Sequence, residues 1–170
     1  MNIEKSAQED IETILDLYDK AIAYQKSIHA VVVWSQFERS LIEQEIRENR
    51  QWKIVENGET ACIWAIAYND VKIWGEKDNT FSIYIHRIAT NPKFRGNNYV
   101  RQIVAWAKDF AKQHNKKCIR MDTVGNNKKL IEYYQSNGFN FLGMVSLKDA
   151  NGLPEHYNTK DKVALFEIEI

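Results

Sequence analysis

Proline and glycine are scarce in this 170-residue chain, with two copies and seven, so no Pro/Gly-rich seam marks off a second unit. We therefore expect one domain over residues 1–170. Cysteine is equally rare. Cys62 and Cys118 lie far apart in apolar contexts, which excludes a zinc-type spacing and a disulfide framework and suits small buried hydrophobes. Charge of one sign is missing too. Lys plus Arg and Asp plus Glu both number 23, for a net charge of zero. A nucleic-acid partner needs a basic surface, so none is expected. The cluster Lys108, Lys112, Lys116 and Lys117 has the spacing of a solvated helix face. No apolar run approaches the roughly 18 residues of a membrane span. The opening MNIEKSAQED is acidic and polar, unlike a signal peptide, and points to a cytoplasmic protein without a membrane partner.

What the chain does have is 44% hydrophobic residues, enough for a core. After a short strand around Ile3, two S-x-x-E patterns read as capping boxes: Ser6 with Glu9, and Ser35 with Glu38. Ile11, Ile14, Leu15, Tyr18, Ala21 and Ile22 follow the first on one helix face. Phe37, Leu41, Ile42 and Ile46 follow the second. QWKIVENGETACIWAIAYND reads as a hairpin turning at Asn57-Gly58. Residues 69–79 are polar and read as loop. TFSIYIHRIAT, 80–90, is a long strand. A helix over 99–114 then buries Val100, Ile103, Val104, Ala107, Phe110 and Ala111. A strand over 117–123 follows, and a short helix from Asn126 to Ser136 stops at Gly138. FNFLGMVSL and KVALFEIEI close the chain as strands. Strand 80–90, helix 99–114 and strand 117–123 form a right-handed βαβ unit with parallel strands. The hairpin and the last two strands are antiparallel. The class is thus α/β, a mixed sheet with helices on both faces. The final strand, if exposed, offers pairing with a second copy, a homodimer.

One stretch asks for an occupant. In Arg95-Gly96-Asn97-Asn98-Tyr99-Val100-Arg101 a loop opens a helix. Helix N-termini present unpaired N–H groups and the positive end of the dipole. Gly96 allows unusual dihedrals, Asn97 or Asn98 tolerates a left-handed backbone, and Arg95 and Arg101 add positive charge. From the loop alone, a diphosphate cradle and an ordinary asparagine-capped connection both stand.

HRIATNPKFRG resembles the strand and loop that carry the acetyl-CoA signature R/Q-x-x-G-x-G/A of the GCN5-related N-acetyltransferase (GNAT) superfamily, with Arg95 in first place. GNNKKLIEYYQSNGF resembles a second hallmark of that superfamily, N-x6-Y-x3-GF, through Asn127, Tyr134, Gly138 and Phe139. MDTVGNNKKLIEYYQSNGF is especially similar to a group of small bacterial members. The likeness is strong over 80–145 and topological before it. Two positions depart: Asn98 stands where the signature has glycine, and Val100 where it has glycine or alanine.

The resemblance implies a mostly antiparallel sheet whose central parallel pair is splayed by a bulge at the cofactor site. It implies that backbone groups of Ile88, Ala89 and Thr90 hold the pantetheine arm. The amides of Gly96, Asn97, Asn98, Tyr99, Val100 and Arg101, with Arg95, hold the pyrophosphate, and Asn127 hydrogen-bonds the cofactor. The implied reaction is direct acetyl transfer from acetyl-CoA to a small-molecule or peptide amine through a tetrahedral intermediate, without a metal. Tyr134 takes the general-acid position; by itself it reads equally as a core tyrosine, and its neighbour Tyr133 reads as packing. Asp122 reads as a base or as a loop cap. His86, in phase with Tyr84 and Ile88, reads as a base or as structure. Glu155-His156 and Trp34 with Trp64 read as acceptor-pocket residues or as surface and core. Two other functions stay open: a non-catalytic CoA-sensing or protein-binding module on the same fold, and an unrelated nucleotide binder. The second lacks a G-x4-G-K-[ST] loop.

Overall fold

The computed structural model describes residues 1–170. Its strands are β1 Asn2–Lys5, β2 Gln51–Glu56, β3 Glu59–Ala67, β4 Ser82–Thr90, β5 Cys118–Val124, β6 Asn140–Ser146 and β7 Lys162–Glu169. Its helices are α1 Ile11–Ser27, α2 Arg39–Arg47, α3 Val71–Trp74, α4 Tyr99–Gln113 and α5 Lys128–Ser136. The strands form one mixed, mostly antiparallel sheet in the order β1-β2-β3-β4-β5-β7-β6. The parallel ladder of β4 and β5 runs from Ser82↔Cys118 to Tyr84↔Arg120. No helix is long and apolar enough to cross a membrane.

The chain groups into two compact units: Met1–Ile66 with His86–Tyr99, and Ala67–Ile85 with Val100–Ile170. Strand β4 contributes its first half to one and its second half to the other.

In the first unit, Ile11, Ile14, Leu17 and Tyr18 of α1 pack with Phe37, Ile42, Ile63 and Ala89. Asn57-Gly58 turns the β2–β3 hairpin with φ of 53° and 79°, the left-handed pair that a two-residue turn requires. Ala61 to Ile66 are all almost wholly buried, so β3 is covered on both faces, which explains its unbroken apolar run.

In the second unit, Val100, Ile103, Val104, Ala107, Phe110 and Ala111 of α4 are buried as their spacing predicts. Tyr134, Phe139 and Phe166 meet at ring-centroid distances of 5.4–6.4 Å. A second cluster joins Ile73, Trp74, Tyr84, Leu147, Val163 and Leu165.

Glycine scarcity has a structural counterpart. The four long helices all end by turning the next residue but one left-handed, and three of those residues are not glycine: His29, Asn49 and Asn115, with Gly138 after α5. Each turn is closed by an N–H one residue further on: Ala30 to Gln25, Arg50 to Glu45, Lys116 to Ala111 and Phe139 to Tyr134. These bonds satisfy carbonyls left open at the helix ends.

Four sequence expectations are corrected. The Ser6–Glu9 box is displaced by one residue: the Ala7 N–H donates to Asp10 Oδ2 (2.7 Å), because the Ser6 N–H is drawn to the Gln51 carbonyl. Helix α2 starts after Glu38 with no side-chain cap, so Ser35 does not open it. Residues 69–79 hold α3 and a 3-10 turn, because Ile73 and Trp74 have a core to enter. The final strand, β7, is not exposed: it pairs with β5 and β6, which leaves β6 at the sheet edge.

A Cβ at Gly138 meets nothing within 4 Å, so the glycine serves φ 96° and not space. Gly138→Ala should therefore lower unfolding free energy by about 1 kcal/mol or more, through backbone strain alone. Urea unfolding measures it.

Candidate functional site

Strand β4 contains Arg87 at φ 51°. A left-handed residue costs about 1–2 kcal/mol. It breaks the extended backbone of β4, and with it the simple alternation that put His86 and Ile88 on one face. Beyond it Ala89 is buried, while Ile88 and Thr90 are half-buried. The Arg87 guanidinium pairs with buried Glu45 of α2 and lies 3.5 Å from the Tyr18 hydroxyl of α1. Burial works against its charge, but Tyr18 and Glu45 outweigh that and hold its pKa above the usual arginine range. His86 is pushed the other way, to about 3, first by burial and then by the charges of Arg87 and Arg50. At neutral pH this favours the uncharged imidazole.

The loop after β4 is tied to the hairpin. Asn91 donates its backbone N–H to the Ala61 carbonyl (2.9 Å) and its side-chain amide to that of Thr60 (3.0 Å). Its Oδ1 caps a 3-10 turn over Pro92–Phe94 by accepting from the Lys93 N–H. Gly96 at φ 92° and Asn98 at φ 46° then turn the chain left-handed twice. Arg95, Gly96, Asn97 and Asn98 are exposed. Tyr99 is buried and donates its hydroxyl to Glu56. Asn97 donates its side-chain amide to the Tyr99 oxygen (3.2 Å). A Cβ on Gly96 meets nothing within 4 Å, so the loop is open as well as left-handed. Alternating backbone of this kind turns successive N–H groups toward one concavity, which suits an anion. The residues present therefore fit a phosphate group. Arg95 lies 3.8 Å over the ring of Tyr24, so its charge stays beside the loop without a carboxylate partner.

In the second unit Val100 is buried in the α4 core row, so the bulky side chain at the second departing position points away from solvent. Arg101 is exposed. Asn127 caps α5: its Oδ1 accepts from the Leu130 N–H (3.2 Å), and its amide nitrogen is the half left to donate. Tyr134 is buried against Phe139 and Phe166. Tyr133 is 38% exposed, about 100° round the helix from Tyr134, and packs its ring against Tyr134 at 5.6 Å between centroids.

The Asp122 side chain binds a phenol. Its Oδ2 accepts from the Tyr157 hydroxyl (2.7 Å), while Oδ1 is buried without a partner. Burial pushes its pKa up to about 6, against the lowering effect of Tyr157. A carboxylate oxygen of Asp70 lies within 4.8 Å. Burial, then the charges of Asp122 and Asp78, push Asp70 to about 8. Asp70 and Tyr157 escaped sequence reasoning because both lie in stretches read as polar loop; the N-D-V-K-I-W pattern ahead of α3 was the available signal. The His156 ring lies tilted against that of Tyr157 (4.8 Å between centroids) and Glu155 is exposed. Trp64 is fully buried core, and Trp34 packs on Tyr18 and Phe37.

The predicted site residues thus fall in two sets. Ile88, Ala89, Thr90 and Arg95 to Tyr99 lie in the first unit, and Val100, Arg101, Asp122, Asn127 and Tyr134 in the second. A strand broken by a left-handed residue, feeding an open, left-handed loop and a helix within a mixed sheet of this order, is an α/β architecture with a loop that suits an anion. The family model for the Acetyltransferase (GNAT) family matches residues 23–139, more than two thirds of the chain. The chain belongs to the GNAT acetyltransferase family. The curated relative named uncharacterized N-acetyltransferase YesJ, from Bacillus subtilis, is 31% identical over 83 residues, 49% of this chain and 44% of that protein. The match thus spans less than half the length of that relative. Among solved structures, a GNAT-family acetyltransferase from Listeria monocytogenes superposes with a TM-score of 0.76 at 22% identity, over 99% of this chain and 94% of its own. The yncA protein of Salmonella typhimurium, solved with its cofactor acetyl-CoA, gives 0.68 at 14%, over 99% and 93%.

The raised pKa of Asp122 has a stability consequence. The folded chain holds this proton up to about pH 6, the unfolded chain only to about 3.8, so stability is lost as pH rises through that window. Asp122→Asn should match wild type near pH 3.5 and exceed it by up to about 3 kcal/mol above pH 7. Urea unfolding across pH tests this.

Proposed function

We propose that the chain is an acetyl-CoA-dependent N-acetyltransferase acting on a primary amine of a small molecule or peptide. The observation that carries this reading is the loop opening α4, where Gly96 and Asn98 both adopt the left-handed backbone that aims amides at an anion. Asn98 keeps the conformation for which the signature uses glycine, and Val100 is turned into the core. Neither departure therefore favours the alternative of a non-catalytic CoA-sensing or protein-binding module. The acetyl-CoA held by yncA supports the same co-substrate here.

In this proposal the amides from Gly96 to Arg101 hold the diphosphate, helped by Arg95. The backbone of Ile88, Ala89 and Thr90 holds the pantetheine arm, and Asn127 donates from its amide nitrogen. Acetyl-CoA supplies the activated acetyl group as a thioester. An aliphatic amine, with a pKa near about 10.4, must first lose a proton. Asp122 accepts it: Oδ1 lacks a hydrogen-bond partner, and its pKa of about 6 leaves it ionised at neutral pH. Tyr134 gives a proton to the departing thiolate. A base of this pKa gives activity an acid limb: it falls as pH drops through about 6 and is constant above.

The test is thiol release from acetyl-CoA across a panel of aliphatic and peptide amines. Tyr134→Phe should reduce kcat by about 10²–10⁴-fold with acetyl-CoA binding retained. Asp122→Asn should remove the acid limb. Acetyl-CoA binding without turnover of any amine in the panel would shift the reading to the sensing module.

A further inference from the structure

Six residues other than glycine have positive φ: four are asparagine, one is His29, and the sixth is Arg87. Asparagine and histidine are the types enriched in that region; arginine is not. What arginine adds over glycine at such a position is a side chain, and this one is gripped from several elements. Its guanidinium pairs with Glu45 of α2 and approaches the Tyr18 hydroxyl (3.5 Å). It also lies 5.9 Å from the ring centre of Tyr18 and 5.3 Å from that of Phe37. Arg50 stands 3.5 Å from the same Glu45 oxygen and donates to the Ile66 carbonyl (3.2 Å).

This arrangement is poorly built for stability alone. Glu45 Oε2 is buried with no partner, and a largely buried ion pair with an unsatisfied oxygen contributes little against its desolvation. The backbone at Arg87 is unfavourable as well. Unfavourable conformations persist where the surroundings over-determine them, and they gather where geometry serves function. The residues that follow Arg87 are Ile88, Ala89 and Thr90, whose backbone direction the left-handed residue sets.

We infer that Arg87 and Glu45 are positioning residues: their ion pair fixes the left-handed turn of β4 at Arg87 and so aims the Ile88 and Ala89 backbone groups at the acyl end of the co-substrate. The inference rests on the proposed role of β4 as the strand that holds the pantetheine arm.

The test uses the full chain with Glu45→Gln, which removes the charge, and Arg87→Gly, which accepts the same φ without the anchor. Amide NMR of the free protein should show the Ile88, Ala89 and Thr90 signals moved in both variants, with Gly96 to Asn98 unchanged. Thiol release with an amine that wild type acetylates should show kcat down by about 10- to 10²-fold, the size expected of a small misplacement, with KM for acetyl-CoA within about twofold. Arg87→Lys, which keeps the charge, should recover part of kcat. Unmoved β4 amides with unchanged kcat overturn the inference. So does a loss of kcat, acetyl-CoA affinity and melting temperature together, because that is the behaviour of a merely structural pair. Wild-type protein that binds no acetyl-CoA by calorimetry fails the reading of β4 itself, a distinct result that takes the positioning role with it.

Discussion

A β-strand alternates its side chains and spends its backbone N–H and C=O groups on its neighbours, so it has little to offer a ligand unless the regular pattern is broken. In β4 the break is the positive φ at Arg87. Much of the first unit bears on holding it: Tyr18 from α1, Glu45 and Arg50 around α2, and Phe37 from the segment between the two helices. The helices that carry this clamp also supply the core against which Ala89 packs. The local distortion and the packing that sustains it therefore come from the same elements.

The loop that follows also leaves the regular pattern, with little glycine. Left-handed backbone turns N–H groups one way, an arrangement that suits an anion. Gly96 provides one such residue and Asn98 the other. Asparagine does this work elsewhere too, at Asn49, Asn57 and Asn115. Its short amide tolerates the conformation better than most side chains. The bonds from Asn91 to Thr60 and Ala61 keep the loop's approach from drifting. In the second unit, Asn127 and Tyr134 are both spaced by α5. One caps its first turn and the other is seated among Phe139 and Phe166.

Two mis-set helix starts show where local pattern failed. Ser6 and Ser35 had the right residue types for caps, but a cap is decided by which N–H groups the rest of the fold leaves unpaired. The Ser6 N–H is claimed by Gln51. The short helix at 71–74 was hidden because four residues carry too little periodicity to register. Tyr133 and Tyr134 are neighbours in sequence, yet one is exposed and the other buried, as helix geometry requires.

The sequence by itself determined the order of the strands and the four longer helices, the hairpin turn, the buried face of α4, the left-handed loop and the register of Asn127, Tyr134 and Gly138. All of these rest on short-range rules: side-chain periodicity, turn chemistry and fixed spacing. Only the tertiary structure decided that β7 is interior, that Arg87 is clamped by Glu45, and that Asp122 meets Tyr157 and Asp70. The reason is distance along the chain. Glu45 and Arg87 are separated by 42 residues and Asp122 and Tyr157 by 35, so no local periodicity links them. Whether a buried carboxylate meets a guanidinium, a phenol or another carboxylate sets its charge, and that meeting exists only once the chain has folded.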